Sequence, residues 1–322
     1  VIKGNITVGN IAEFVIYVNM LTWPVASLGW VISIIQRAAA SQQRLNEFLK
    51  EEPGIVSGDL PCKHIEGNLE FRNVSVKYDA DRDFALENVS FKISAGESVG
   101  VIGRTGSGKS TLVNVLLRLV DPVNGEVLID GQPLRSLHLD DYRKQIGCVP
   151  QDVFLFSDTI KENIAFGLEG KVEEKAVEEA ARAAVVYDNI VQFPLKFDTM
   201  VGERGITLSG GQKQRVSIAR AIIRNPDVLI FDDCLSAVDT ITEEKILSNL
   251  TNIMKGKTSV LVSHRVATVK ACNRILVLEE GCLSEEGTHE SLLARNGLYR
   301  QLFELQLKEN KTSMANGVDV EK

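Results

Sequence analysis

The segment Gly103-Arg104-Thr105-Gly106-Ser107-Gly108-Lys109-Ser110 constrains this chain more than any other. It follows the apolar run SVGVI and opens the helical run TLVNVLLRL, which begins at Thr111. A strand that turns through glycines into a helix points consecutive backbone N–H groups at one spot. The helix N-terminus adds its partial positive charge there. In that setting Lys109 reaches the β- and γ-phosphates of a nucleotide, and the Ser110 hydroxyl ligates Mg²⁺. The strand–loop–helix context separates this GxxxxGK[ST] match from a chance one.

From residue 67 onward, short β-rich runs alternate with helical segments. Strands are expected at Leu69–Val76, Ser98–Ile102, Glu126–Ile129, Val228–Phe231, Ser259–Val262 and Ile275–Leu278. Helices are expected at Ser110–Leu119, Glu173–Ala184, Gly211–Ile223, Glu243–Ile253 and Leu298–Leu307. The alternation predicts an α/β domain with a largely parallel core sheet. Within it, VLIFDD (Val228–Asp233) reads as a buried strand ending in two carboxylates, of which Asp232 can hold Mg²⁺ through a water. LSGGQ (Leu208–Gln212) directly precedes the helical run KQRVSIARAII. Ser209, Gly210 and Gly211 at a helix start form another anion site, although the same residues also serve as an ordinary turn and cap.

Taken in order, these motifs resemble the ATP-binding half of an ABC transporter of the exporter type, with its fused membrane domain on the N-terminal side. The resemblance covers about residues 1–307. It implies an α/β P-loop NTPase of the ABC type with a helical subdomain, preceded by one transmembrane helix. By resemblance, Tyr78 in VKYDADRDFALENVSF stacks on adenine, and Gln151 in VPQDVFLFSDTIKENI senses Mg²⁺ and the γ-phosphate. Glu203 in TMVGERG contacts the membrane domain's cytoplasmic helices, and Ser236-Ala237-Val238-Asp239 crosses between two ATPase domains. His264 in LVSHR contacts the γ-phosphate. Two such domains sandwich two ATPs: Gly103–Thr111, Gln151 and Asp232 hold one, while Ser209, Gly210, Gly211 and Gln212 close on the partner's. The implied Mg²⁺ ligands are Ser110, Gln151 and Asp232, and the implied catalytic groups are Lys109, Asp233 and His264. Cys234, His64, His138 and His289 receive no role.

One residue departs from the family pattern. After the Asp232 position the family places a glutamate that polarises the attacking water, and this chain has Asp233. The carboxylate is retracted by one methylene, about 1.5 Å, and misplacement on that scale can cost ~10²-fold in rate. The expectation is a slow site here and an intact LSGGQ that completes a competent site on a different partner, hence a heterodimer. A homodimer that tolerates aspartate, and a regulatory half that binds ATP and gates a partner, are the alternatives.

The N-terminal end is of another kind. Val15–Ile35 is 21 residues without a charge, and as a helix it would span about 31 Å, close to a bilayer's hydrocarbon core. Arg37, Arg44 and Lys50 follow it and only Lys3 precedes it, which places the C-terminal side in the cytoplasm. Ala26, Gly29 and Ser33 suit close helix contact, and Asn19 and Pro24 fit a face turned toward other helices. A buried soluble-core helix, a signal peptide and a lone anchor compete with this reading. The run is long for a core helix, and it lacks a basic n-region and cleavage site. The domain expectation is a membrane helix with its extension over 1–50, a linker over 51–66, the ATP-binding domain over 67–307 and a disordered tail over 308–322.

Composition agrees. At 322 residues the chain exceeds one compact core. Its 36 Lys plus Arg against 43 Asp plus Glu give a net charge of −7, which argues against bulk nucleic-acid binding. The span, TMVGERG and this charge all weigh against a soluble ABC-type ATPase acting on DNA or the ribosome. The five cysteines show no CxxC pair and read as reduced thiols. The expected partners are a second half-transporter, the bilayer and a transported substrate on which the sequence is silent. The expected location is the plasma or inner membrane, multi-pass in the full-length protein, with the ATP-binding domain cytoplasmic. The chain starts at Val1 and holds one span where the family's membrane domain has six, so it reads as the C-terminal part of a longer half-transporter. Such a piece binds ATP but transports nothing by itself.

Overall fold

The computed structural model describes residues 7–79, 81, 83–168, 170, 172–202, 208–235 and 240–317. Glu203 and the Ser236–Asp239 loop therefore lie outside the described residues. The chain divides into two compact units, Val1–Val56 and Ser57–Lys322.

The first unit is a single helix, α1 (Val8–Lys50), of 43 residues. Thr7 caps it reciprocally with Asn10: the Thr7 hydroxyl accepts from the Asn10 N–H at 3.3 Å, and the Asn10 side chain accepts from the Thr7 N–H at 3.0 Å. The helix runs through Pro24, and the hydroxyls of Thr22 and Ser27 bond back to the Val18 and Pro24 carbonyls at 2.9 and 2.7 Å. Such back-bonding keeps polar side chains satisfied within an apolar helix. α1 is long and apolar enough to cross a membrane, and none of its residues is buried.

The second unit is built on two sheets. The strands are β1 (Leu69–Val76), β2 (Leu86–Ile93), β3 (Ser98–Gly103), β4 (Asn124–Ile129), β5 (Gln132–Pro133), β6 (Ile146–Val149), β7 (Val228–Asp232), β8 (Thr258–Val262), β9 (Arg274–Glu279) and β10 (Cys282–Gly287). One sheet is antiparallel, in the order β2-β1-β4-β5. The other has the order β10-β9-β3-β8-β7-β6, parallel throughout except for its edge strand β10. Its inner strands β7 and β8 are buried at every position and mostly apolar, as parallel strands covered on both faces require. This strand order sets the ends of β3, β8 and β7 side by side, so the segments leaving them converge.

The helices of this unit are α2 (Lys109–Leu116), α3 (Leu139–Lys144), α4 (Ile160–Ala165), α5 (Glu174–Ala183), α6 (Tyr187–Ile190), α7 (Gly210–Ile222), α8 (Thr240–Met254), α9 (Val266–Val269), α10 (His289–Ala294) and α11 (Leu298–Gly317). α4, α5, α6 and α7 share a core through Ile164, Ala181, Ile190 and Val216, all essentially buried. These helices form the expected helical subdomain.

Both ends of the second unit carry structure beyond its two sheets. Within 51–66, the stretch expected as a linker, the second unit begins at Ser57, and most side chains as far as Glu66 are exposed. Leu60 forms a β-bridge with Leu137, and Cys62 and Ile65 are buried, because apolar side chains in this stretch find partners in the domain. The expected disordered tail from Lys308 is also helical backbone as far as Gly317. Lys, Glu, Met and Ala tolerate a helix well, and the first glycine or proline after Leu298 is Gly317 itself.

Candidate functional site

The loop between β3 and α2 is shaped by glycine. Gly106 and Gly108 have φ of +82° and +96°, a region that L side chains avoid. At Gly108 there is also no room: a Cβ would lie 2.6 Å from the Ala85 carbonyl oxygen. Gly108 is the N-cap of α2 and gives it no side-chain cap. The first N–H groups of that helix are therefore left without a side-chain acceptor from the cap. The Ser107 hydroxyl is also buried without a hydrogen-bond partner among the described residues.

Lys109 folds over this loop, its ammonium donating to the carbonyls of Gly103 at 2.9 Å and Arg104 at 2.8 Å. Burial lowers its pKa, with Asp233 and Asp232 opposing that shift. A cavity of about 270 Å³ opens here, lined by Thr105, Gly106, Gly108, Lys109, Ser110, Thr111, Gln151, Asp232, Asp233 and His264, together with Ala85. Sequence residues up to 179 positions apart converge on it because β3, β7 and β8 end together.

Asp232 closes β7 and is buried. Burial raises its pKa, the Ser110 hydroxyl and Lys109 counteract this, and the Asp233 charge adds to it. A buried carboxylate so placed is stabilised by a cation. Ser110, Asp232 and Gln151 offer hard oxygen donors to the same cavity. Among the described residues no cluster of three or more His, Cys, Asp or Glu could hold a metal alone. That donor set fits Mg²⁺, which takes one or two protein ligands and completes its shell with phosphates and water. The uncapped α2 terminus, the glycine loop and Lys109 likewise fit a nucleotide's phosphates.

Asp233 adopts φ +45°, a conformation that aspartate accepts more readily than most residues. Its N–H donates to the Val262 carbonyl at 2.9 Å. Its carboxylate meets His264 Nδ1 through both oxygens, at 3.0 and 3.1 Å. An ionised carboxylate only accepts, so Nδ1 carries the hydrogen and Nε2 is left free of it in a neutral ring.

Several expected residues do not line this cavity, Ser107 among them. Tyr78 is half exposed and tied to α2, its hydroxyl accepting from Asn114 at 3.1 Å and lying 3.4 Å from the Thr111 hydroxyl. Ser209, Gly210, Gly211 and Gln212 do not line the cavity. They form the start of α7, where Ser209 and Gln212 make a capping box: Gln212 N–H to Ser209 Oγ at 3.3 Å and Ser209 N–H to Gln212 Oε1 at 2.9 Å. Gly103 and Arg104 contribute carbonyls to Lys109 rather than cavity wall. Ala85 and Asn114 are functional neighbours with no sequence signal, since an alanine before a strand and an asparagine in a helix are ordinary occupants.

Comparison with known proteins agrees with this geometry. Residues 86–236 match the ABC transporter family model. The chain is 43% identical over 313 residues to an ATP-dependent lipid A-core flippase of Syntrophus aciditrophicus (strain SB), covering 97% of this chain and 52% of that protein. It is 38% identical over 309 residues to the multidrug resistance-like ATP-binding protein MdlA of Escherichia coli (strain K12), covering 96% and 52%. A solved structure of a bacterial Atm1-family ABC exporter with ATP bound superposes with a TM-score of 0.81 at 38% identity, over 94% of this chain and 54% of the other. The chain thus spans about half the length of the curated relatives it matches. With the phosphate loop, the Asp232 strand and these relatives in agreement, the chain belongs to the ABC transporter family, exporter type, and carries its ATP-binding domain.

Proposed function

We propose that this chain supplies the ATP-hydrolysing end of a membrane exporter subunit, and that its own nucleotide site turns over slowly beside a more active site in a second half-transporter. The observation that carries this reading is the carboxylate of Asp233. It is one methylene shorter than the family's glutamate, and both its oxygens are drawn to His264 Nδ1. Shortened by that methylene, the carboxylate polarises an attacking water poorly, and its orientation by His264 supports the turnover that remains.

In the proposed cycle the glycine loop and the α2 N-terminus bind the phosphates, and Lys109 exchanges the Gly103 and Arg104 carbonyls for phosphate oxygens. Ser110, Gln151 and Asp232 would hold Mg²⁺, which when bound neutralises charge on the β- and γ-phosphates. Asp233 accepts a hydrogen from the water, and His264 keeps that carboxylate oriented through Nδ1–H. The α7 terminus of the partner closes the sandwich, as this chain's Ser209–Gln212 does for the partner's nucleotide. Domain closure and reopening then switch access in the membrane domain, a population shift between two states driven by nucleotide. α1 would be one span of that domain, with the ATPase on the cytoplasmic side. The relatives' names, a lipid A-core flippase and a multidrug resistance-like protein, support an amphiphilic cargo.

The deciding experiment is ATPase activity of the full-length protein purified alone, wild type against Asp233→Glu, together with a search for a co-purifying second half-transporter. A gain on substitution supports the slow site. Robust wild-type activity alone, with no gain from glutamate, rejects it in favour of a homodimer.

A further inference from the structure

The last helix reaches the active-site histidine. α11 seats Leu298, Tyr299, Leu302 and Phe303 in a core cluster that includes Val266 and Val269 of α9. Gln306 follows on the same face, one turn beyond Leu302. Its carboxamide Nε2 donates to the His264 carbonyl at 2.6 Å, and its Oε1 accepts from the Val266 N–H at 2.8 Å. A carbonyl needs a donor and an N–H needs an acceptor, so both contacts demand the same amide orientation. Val266 opens α9, whose N-cap Arg265 offers no side-chain cap, and Gln306 supplies the missing acceptor from 40 residues away.

The backbone around His264 is thereby gripped on both sides. Upstream, the Ser263 N–H donates to the Val101 carbonyl of β3 at 3.0 Å. Downstream, Gln306 binds the peptide groups that flank Arg265. His264 is itself half exposed, so packing alone does not fix its ring. Its contact with Asp233 at 3.0–3.1 Å would be broken by a displacement of about 0.5 Å.

We infer that Gln306 is a positioning residue for ATP hydrolysis, clamping the His264 backbone so that the imidazole meets Asp233, and that this makes the C-terminal helix part of the hydrolytic apparatus. The inference rests on the proposed roles of His264 and Asp233. Gln306 would not touch nucleotide, so its loss should change turnover and not affinity.

The test is single-turnover hydrolysis by the full-length transporter in excess over ATP, which resolves even a slow site. Gln306→Leu should slow the step about tenfold while leaving half-saturation by ATP within about twofold. Gln306→Glu keeps the acceptor for Val266 but replaces the donor to His264 with a repelling oxygen, so it should also slow the step. In a His264→Ala background Gln306→Leu should add nothing further. Equal rates for wild type and Gln306→Leu, or the same fold loss in both backgrounds, would overturn the clamp. Should Gln306→Leu fail to fold, Gln306→Glu in the two backgrounds is judged by the same criteria. If His264→Ala hydrolyses as fast as wild type, the reading of the site falls and takes the clamp with it. If His264→Ala is slow and neither Gln306 variant is, the clamp alone falls.

Discussion

The glycine loop before α2 and the LSGGQ segment before α7 use the same materials to opposite ends. Both set small residues and a serine at the N-terminus of a helix. Gly108 gives α2 no side-chain cap, whereas Ser209 and Gln212 give α7 a complete capping box. The first helix therefore presents unsatisfied N–H groups to the cavity, and the second satisfies its own. The uncapped helix stays poised because its surroundings hold it: Ala85 packs at Gly108, and Lys109 tethers the loop carbonyls. A helix terminus in this chain becomes an anion site where the fold withholds a cap, and not merely where glycine and serine occur.

The sharpest way to break this contrast is Gly108→Ala. The new Cβ would meet the Ala85 carbonyl at 2.6 Å and Leu86 Cδ2 at 2.7 Å, at a φ of +96°. We expect ATP affinity to fall by roughly tenfold or more and stability by at least about 1–2 kcal/mol, read by nucleotide titration and denaturant melts. Gly106→Ala separates strain from collision, since nothing lies within 4 Å of its Cβ position. Its cost should be the backbone term alone, about 1–2 kcal/mol, so its stability loss should be the smaller of the two. Equal losses would show that crowding at Gly108 is unimportant.

On the other side of the comparison, Ser209→Ala removes the α7 cap and should cost about 1 kcal/mol of stability. Nucleotide binding at the glycine loop of the same chain should be unchanged, and a loss there would mean that the two helix starts are not independent. The smallest effect lies away from both sites. Hydrogen bonds from Arg72, then Lys92, hold the Glu70 carboxyl at about 2, below its ordinary 4.5. A lowered acid pKa stabilises the fold above the unfolded value and loses that contribution as pH falls toward 2. Wild type should therefore weaken more than Glu70→Gln in melts taken downward from pH 5. Because Arg72 and Lys92 are exposed and Glu70 keeps part of its surface in solvent, the difference should be slight and should shrink in salt.

Much of the site was legible because its signals are local. GRTGSGKS needed only its flanking strand and helix, and VLIFDD needed only an apolar run ending in acids. All six expected strands exist, with ends shifted by at most two residues. The strands that escaped notice have physical reasons. β10 is a polar edge strand, CLSEEG, β6 is only four residues long and β5 only two. β2 alternates cleanly from Val89 to Ile93, but the consecutive polar residues Glu87 and Asn88 break the pattern after Leu86 and leave only a short alternating run. The burial of two residues within 51–66 escapes a pattern reading for a related reason. Isolated Cys62 and Ile65 have no period to betray that the domain buries them.

The sequence by itself determined the chemical inventory: a phosphate loop, a magnesium-directed aspartate, a shortened neighbour at Asp233 and an uncharged helix as long as a bilayer is thick. Only the tertiary structure decided who meets whom. Asp233 and His264 are 31 residues apart and Gln306 stands a further 42 beyond His264, yet one hydrogen-bonded path joins them. The physical reason is that periodicity and turn chemistry act over a few residues. Strand order and helix packing, which no local pattern encodes, bring the ends of β7 and β8 together and lay α11 across the segment that follows.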